Sequence, residues 1–218
     1  LPGDVSKPIV YKVERLRDGR SFATRRVTAI QNGKAIFNMA ASFQKIEEGF
    51  NHQISMPDVP SPDQLLSDTQ LAEVLKDKIH PRTRAYLSFP RPIEFKPVVK
   101  DLSSLNNREP IRQVWMRSKG PMPDDIELNR MVLAYASDYN LLMTALQPHA
   151  VSFDKVMLAS LDHAMWFHRS FKMDEWLLYA LDSPSASNAR GFTRGSIFNQ
   201  KGELISSVVQ EGLVRSLD

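Results

Sequence analysis

The chain has 218 residues, of which 42% are hydrophobic, enough to bury a core in one large domain or in two modules. Its 28 basic and 25 acidic side chains nearly balance, and no block of like charge indicates a nucleic-acid partner. The absence of cysteine excludes disulfides, thiolate metal sites and a cysteine nucleophile, and the absence of a long apolar run predicts a soluble protein without a membrane span.

Two turn signals near the start predict three consecutive antiparallel strands. The apolar runs 9–13 and 22–30 are separated by Arg17-Asp18-Gly19-Arg20, which is typical of a turn. Asn32-Gly33, a strong hairpin signal, separates the second run from the third, 35–43. We therefore predict that residues 1–50 contain strands only.

Repeated prolines characterise the next segment, at positions 57, 60, 62, 81, 90, 92, 97 and 110. Such a pattern is typical of a connector that runs over a surface, so we predict a linker over 51–110. Within it we predict a short helix, capped by Ser61 or Asp63 and extending to about Lys78, because its apolar side chains fall roughly on one face.

A strand at 111–117 begins the second module, predicted over 111–218. Acidic residues ending at Asp125 then cap a helix that we predict to extend to Leu142. The apolar side chains that share one stripe of this helix are Leu128, Met131, Val132, Tyr135, Tyr139 and Leu142. Asp138 lies about 80° from the centre of that stripe, so we expect its carboxylate to be half-buried.

The remaining elements are strands, predicted at 156–161, 165–167, 176–181, 191–198 and 204–209. A shift of 169 residues places Gly33 on Gly202 and Arg25 on Arg194, which predicts two copies of one unit. The copies differ chemically, because Gln210 corresponds to an alanine in the first copy.

Several motifs occur together in one order along the chain: Arg17-Asp18-Gly19, the runs 29–34, 161–169 and 185–192, and Val209-Gln210-Glu211-Gly212. Together they resemble the acyl-CoA thioesterase II family over nearly the whole chain. The resemblance implies an α+β fold, a double hotdog in which each module is a long helix wrapped by an antiparallel sheet. It also implies a hydrolase that converts fatty acyl-CoA to free fatty acid and coenzyme A. No metal or redox cofactor is implied, since coenzyme A enters as part of the substrate.

In that family an aspartate on the second hotdog helix, a threonine or serine on the following strand and a glutamine on the last strand hold the hydrolytic water. The residues that match are Asp138, Ser160 and Gln210. A thioester is already a good acyl donor, so catalysis consists mainly of placing water and stabilising the oxyanion. The resemblance implies that Asp138 acts as general base while Ser160 and Gln210 fix the remaining hydrogen bonds of the water.

Each of these residues, taken alone, has a simpler interpretation. Asp138 would cap its helix or face solvent, Ser160 would be a small strand residue, and Gln210 would be a cross-strand partner. Only their joint match to one family favours the catalytic interpretation.

Other chemistries find less support in the sequence. His163 and His168 are five residues apart, which on a strand places them on opposite faces, so we expect structural roles and no metal site. The serines at 183, 185 and 187 lie in no nucleophile elbow, and Gly191 lacks the companions of a phosphate-binding loop.

Two alternative functions remain open at this point. A hotdog dehydratase or hydratase would need a histidine acting with an aspartate, and no histidine lies on the second predicted helix. A non-catalytic acyl-CoA or lipid-binding module would bind the same ligand without turnover.

The chain departs from the family at its start, because no helix precedes the strands that begin at Ile9. We therefore expect a partial N-terminal hotdog at 1–50, a linker at 51–110 and a C-terminal hotdog with the catalytic residues at 111–218. The first sheet would expose an apolar face, and an exposed sheet edge favours a homo-oligomer. The final residues, Arg215-Ser216-Leu217-Asp218, are no peroxisomal tripeptide, which favours a cytoplasmic location.

Overall fold

A computed structural model describes residues 2–99, 108–149, 151 and 155–217. Contacts divide the chain into two compact units, Leu1–His52 and Gln53–Asp218. Part of the predicted linker, 100–107, lies outside the described residues. Among the helices of the described ranges, none has the length and apolar character needed to cross a membrane.

The first unit is a three-stranded antiparallel meander. Its strands are β1 (Val10–Asp18), β2 (Phe22–Gln31) and β3 (Lys34–Gln44), with β2 in the middle. Asn32 and Gly33 have φ of 51° and 73°, the left-handed conformations that a two-residue hairpin turn requires. The three predicted strands are confirmed.

Most side chains of this meander are exposed, including the large apolar residues of β1. Val10, Tyr11 and Val13 are all more than half exposed, and Phe37 on β3 is as well. Within residues 2–52 as described, no helix is present. The expected exposure of apolar side chains on this sheet is confirmed.

The second unit contains a seven-stranded antiparallel sheet. Its strands in chain order are β4 (Ile93–Pro97), β5 (Ile111–Ser118), β6 (Val156–Ser160), β7 (Ala164–Phe167), β8 (Leu177–Ser187), β9 (Arg190–Asn199) and β10 (Leu204–Ser216). The spatial order is β4-β5-β8-β9-β10-β6, and β7 also pairs with β10. Shifted by 169 residues, β1, β2 and β3 fall on 179–187, 191–200 and 203–213, close to the bounds of β8, β9 and β10.

Three α-helices accompany this sheet: α1 (Asp68–Val74), α2 (Pro81–Ser88) and α3 (Ile126–Ser137). Asp125 caps α3 as predicted, because its carboxylate accepts hydrogen bonds from the backbone N–H groups of Glu127 and Leu128 at 2.9 and 3.1 Å. The predicted end at Leu142 is wrong. Asn140 has φ of 68°, which breaks the α-helix, and a 3-10 helix follows at Leu142–His149.

The predicted buried stripe is only partly correct: Val132 and Tyr139 pack against the core and Leu142 is buried, but the rest of the stripe is exposed. Met131 is 65% exposed and Tyr135 51%, whereas Leu133 and Ala136 are fully buried. Asn129 shares the buried face because its side chain is satisfied: it donates to the Asp125 carbonyl at 2.7 Å and accepts from the N–H of the distant Met173 at 2.8 Å. A search for apolar periodicity therefore selects a neighbouring face of the helix.

Residues 53–98 contain more structure than the predicted linker with one helix. The helix does not begin at Ser61 or Asp63, because Ser67 forms the capping box of α1 with Gln70. The proline-rich stretch also forms α2 and the edge strand β4, where Pro97 ends the strand and its missing N–H is tolerated. These elements pack as part of the second unit.

Both faces of the second sheet are covered. The helix α3 packs on one face through Leu133 and Ala136, against a cluster that includes Tyr179 and Ile197. On the other face Trp115, Leu178 and Phe198 pack with Leu65, and Met56 and Val59 lie against this cluster. The Trp115 indole N–H donates to the Pro60 carbonyl at 2.9 Å, which holds the covering segment in place.

Two glycines let the 3-10 helix approach the sheet closely. Gly191 on β9 pairs with Gly212 on β10. A Cβ on Gly191 would lie 2.6 Å from the Cβ of Ala145, and one on Gly212 would lie 2.4 Å from a methyl carbon of Leu142. The segment that follows α3 is therefore fixed against the strand that carries Gln210.

A buried ion pair connects α1 with Arg91, which lies two residues before β4. Arg91 donates to Asp68 at 3.2 Å, and both side chains are nearly inaccessible. The Arg91 guanidinium also lies over the rings of Tyr86 at 4.4 Å and Tyr139 at 5.1 Å, so it links α2 to the residue next to Asp138. Burial raises the pKa of Asp68 to about 6, despite the opposing effect of Arg91.

Asp68→Asn should reduce the pH dependence of the free energy of unfolding between pH 4.5 and 7. The folded carboxyl has a pKa of about 6, above about 3.9 in an unfolded chain, so the folded state binds this proton more tightly. The parent therefore loses stability as the pH rises through 6, and the asparagine variant lacks this contribution. Denaturant unfolding of the parent and of Asp68→Asn at each end of this pH range measures the difference in pH dependence. The same pH dependence in both proteins would contradict the prediction.

Candidate active site

Three polar side chains from separate elements meet beside the end of α3. Gln210 on β10 donates through Nε2 to Oδ1 of Asp138 at 2.8 Å and to Oγ of Ser160 at 3.1 Å. Asp138 directly follows α3, and Ser160 is the last residue of β6. The structure thus brings together the three residues that the sequence singled out.

The Gln210 side chain is fully buried, and its orientation follows from its partners. Exchanging its amide oxygen and nitrogen would direct the carbonyl at the Asp138 carboxylate, two acceptors facing each other. With the nitrogen facing Asp138, Oε1 is buried and accepts no hydrogen bond from any described residue. Oε1 is therefore a buried acceptor without a partner among the described residues.

Asp138 is more accessible than predicted. Its side chain is 62% exposed, so the expected half-burial is wrong. The cause is the rotation of the buried face of α3 toward Leu133 and Ala136, which leaves Asp138 on the open side. A carboxylate that is held by one buried amide and open on its other side can meet a water and a substrate.

A buried tyrosine fixes the end of α3. The Tyr179 hydroxyl on β8 donates to the backbone carbonyl of Ser137 at 2.9 Å. Burial raises the pKa of Tyr179 well above its ordinary value, with a further contribution from Asp138, so the hydroxyl keeps its proton. The residue before Asp138 is therefore tied to the middle of the sheet.

His163 also lies in this site, although we expected a structural role for it. Its Nδ1 is 3.5 Å from Nε2 of Gln210 and 4.0 Å from Oδ1 of Asp138, and its Nε2 is 3.0 Å from Oγ of Ser137. Burial lowers the pKa of His163, and the charges of Asp138 and Asp162 oppose that effect.

His163 lies in an interruption between two strands, and the spacing argument did not identify it as a site residue. Both β6 and β7 pair with β10, but residues 161–163 between them form no strand. There the N–H of Leu161 donates to the Glu211 carbonyl, and the N–H of Glu211 donates to the Asp162 carboxylate at 2.7 Å. His163 reaches Gln210 whereas His168 contacts Ser207, so the two histidines meet opposite faces of β10, as their spacing predicted. The sequence signal that could have indicated this role is the polar pair Asp162-His163, which lies between two apolar runs.

Two family models match the chain. Residues 96–213 match the one described as acyl-CoA thioesterase, and residues 1–44 match the acyl-CoA thioesterase N-terminal domain. The chain belongs to the acyl-CoA thioesterase family. The family that the sequence motifs resemble is thereby confirmed.

Several known proteins are similar to this chain over most of their length. Human acyl-coenzyme A thioesterase 8 is 41% identical over 222 residues, which cover 98% of this chain and 70% of that protein. The crystal structure of an acyl-CoA thioesterase II from Mycobacterium marinum is 43% identical with a TM-score of 0.81, covering 98% of this chain and 76% of that one. A hot dog protein from Alicyclobacillus acidocaldarius, 17% identical, has a TM-score of 0.74 over 96% of this chain and 74% of its own. The predicted α+β hotdog fold is confirmed.

Tyr179→Phe should destabilise the thioesterase by about 1–2 kcal/mol, because the buried Ser137 carbonyl loses its donor. Tyr135→Phe is a suitable control, since the Tyr135 hydroxyl is on an exposed side chain and contacts only the hydroxyl of Tyr139 among the described hydrogen bonds. Denaturant unfolding of both variants measures the two losses. Equal losses would show that the Tyr179 hydrogen bond does not hold the end of α3.

Proposed function

We propose that this thioesterase hydrolyses fatty acyl-CoA to free fatty acid and coenzyme A with a water held by Asp138, Ser160 and Gln210. The reaction class is that of its family, hydrolysis of a thioester bond. The observation that carries the proposed mechanism is the single buried amide nitrogen that donates to both Asp138 and Ser160.

The hydrogen-bonding capacities of the three side chains suit one water molecule. Both hydrogens of the Gln210 amide are used, on Asp138 and Ser160, which leaves Oε1 as an acceptor. A water can donate a proton to the Asp138 carboxylate, which is accessible on its open side. Ser160 accepts from Gln210, so its own hydroxyl hydrogen can be donated to the water oxygen.

This arrangement leaves one lone pair of the water to attack. The lone pair forms the C–O bond at the thioester carbonyl, and the Asp138 carboxylate takes the proton that the water loses. Collapse of the tetrahedral intermediate breaks the C–S bond and releases the thiolate of coenzyme A. The protein therefore contributes chiefly position and a proton acceptor, as expected for an acyl donor that is already activated.

The two alternatives make different predictions for the same site. A non-catalytic binding module would leave the thioester intact, and the relatives named above are thioesterases. A hydratase would add water to a carbon–carbon double bond with a histidine and an aspartate. His163 beside Asp138 supplies that pair even though no histidine lies on α3, so enoyl-CoA belongs in the substrate panel.

A cytoplasmic location and assembly into a homo-oligomer stay predictions from the sequence. The proposed substrate is a fatty acyl-CoA, since the relatives are named for acyl-CoA as a class.

Asp138→Asn should lower kcat for coenzyme A release by about 10²–10⁴-fold, because the variant cannot take the water proton. Thiol release from a panel of acyl-CoAs, medium to long chain, measures the effect. Asp124→Asn is the matched control, since Asp124 is 93% exposed and pairs with Lys172 at 3.4 Å. Full activity in Asp138→Asn would exclude the proposed mechanism, and binding without turnover by the parent would favour the binding module.

Ser160→Ala should lower kcat by roughly 10-fold or more, whereas Ser160→Thr should retain most activity because it keeps the hydroxyl. Both variants are assayed on one substrate at saturation. Equal activity of the alanine and threonine variants would show that the hydroxyl does not contact the water.

A further inference from the structure

His163 is a titratable side chain beside the proposed water site, and the mechanism above gives it no role. Its position between β6 and β7 places both ring nitrogens in contact with site residues. The hydrogen bonds around the ring determine which nitrogen carries the proton in the neutral form.

The hydrogen bonds around the ring favour the neutral tautomer of His163 with its proton on Nε2. Ser137 has one hydroxyl hydrogen, and it donates this hydrogen to the Ala134 carbonyl at 2.9 Å. The 3.0 Å contact between Ser137 Oγ and His163 Nε2 therefore requires Nε2 to be the donor. Nδ1 consequently carries a lone pair.

That lone pair faces the site. Nδ1 is 3.5 Å from the Gln210 nitrogen, whose hydrogens are already donated to Asp138 and Ser160, and 4.0 Å from Oδ1 of Asp138. The gap to Asp138 exceeds an ordinary hydrogen bond of about 2.8 Å by roughly 1 Å. Proton transfer between the two side chains therefore requires Asp138 and His163 to approach each other during turnover.

The charges around the ring favour an imidazole that is neutral before the reaction and gains a proton only during turnover. Burial lowers the pKa of His163 below its ordinary value, which keeps the imidazole neutral at pH 7. The carboxylates of Asp138 and Asp162 face it and stabilise the imidazolium once it forms. Glu211, next to Gln210 on β10, is paired with Arg190 at 3.2 Å, and the Tyr179 hydroxyl is bonded to the Ser137 carbonyl.

We propose that His163 is a second proton acceptor of this site, which takes the water proton from Asp138 and returns it to the leaving group. The proposal rests on the proposed function. Water attack forms the C–O bond and places one proton on Asp138, which passes it to Nδ1 and recovers its negative charge. When the C–S bond breaks with its electron pair on sulfur, the imidazolium protonates the thiolate and His163 is neutral again.

The test compares His163→Gln with His168→Gln across pH 5–8 on one acyl-CoA. The glutamine at 163 keeps a donor for Ser137 and removes Nδ1, and His168 is a matched histidine that contacts Ser207 outside the site. We expect kcat of His163→Gln to fall about 10–100-fold with KM within 2-fold, and His168→Gln to match the parent. The kcat of the parent should fall at acid pH, as His163 becomes protonated, and this fall should lie below the ordinary histidine pKa because burial lowers the pKa of His163. This dependence should be absent from His163→Gln.

Three outcomes would overturn the proposal. The first is a kcat of His163→Gln within 2-fold of the parent with the same pH profile. The second is a parent kcat that does not change from pH 5 to 8, a result that does not depend on how any variant folds. The third is a failure of added imidazole to restore part of kcat to His163→Ala, since a merely structural role would give no such rescue.

Asp138→Asn, assayed beside these variants, separates this inference from the proposed function. If Asp138→Asn is impaired and His163→Gln is not, the proton transfer to His163 is wrong and the water mechanism stands. If Asp138→Asn keeps full activity, both are wrong.

Discussion

The side-chain amide of Gln210 joins two segments that are distant in the chain. One Nε2 atom donates both to the residue that follows α3 and to the last residue of β6. The amide is fully buried on the last strand, so its orientation is set by the fold and not by solvent. Because a buried amide must satisfy its hydrogens, the positions of Asp138 and Ser160 are constrained together.

The surrounding structure serves this contact in several ways. Tyr179 ties the carbonyl of Ser137 to the sheet, and the paired glycines Gly191 and Gly212 let the segment after α3 lie close to β10. The Thr193 hydroxyl donates to the backbone carbonyl of Gln210 at 3.2 Å. The helix end and the strand are thus held from both sides, and a catalytic water can be placed with little reorganisation.

Local signals predicted part of this fold well. The left-handed turn at Asn32-Gly33 and the cap at Asp125 depend only on neighbouring residues, and both are present. The buried face of α3 could not be read in the same way, since Asn129 is buried only because Met173 from a distant segment donates to it. The accessibility of Asp138 was mispredicted for the same reason.

The residues of the proposed site also divide into those that the sequence could identify and one that depended on the packing of distant segments. Asp138, Ser160 and Gln210 were identified by resemblance to a family, and their proximity required no knowledge of side-chain packing. His163 required knowing that β6 and β7 pair with one strand and that the chain is interrupted opposite Gln210. Strand alternation correctly separated His163 from His168, but it could not show which of them lies beside Gln210.

A double-mutant cycle on kcat with Asp138→Asn and Gln210→Met tests most directly whether these side chains act as one unit. Methionine approximates the volume of glutamine and removes its hydrogen bonds. Residues that act through one another lose activity non-additively, so the double variant should be about as impaired as the more impaired single variant. If the two losses in kcat multiply, Gln210 does not act through Asp138, and the account of the site is wrong.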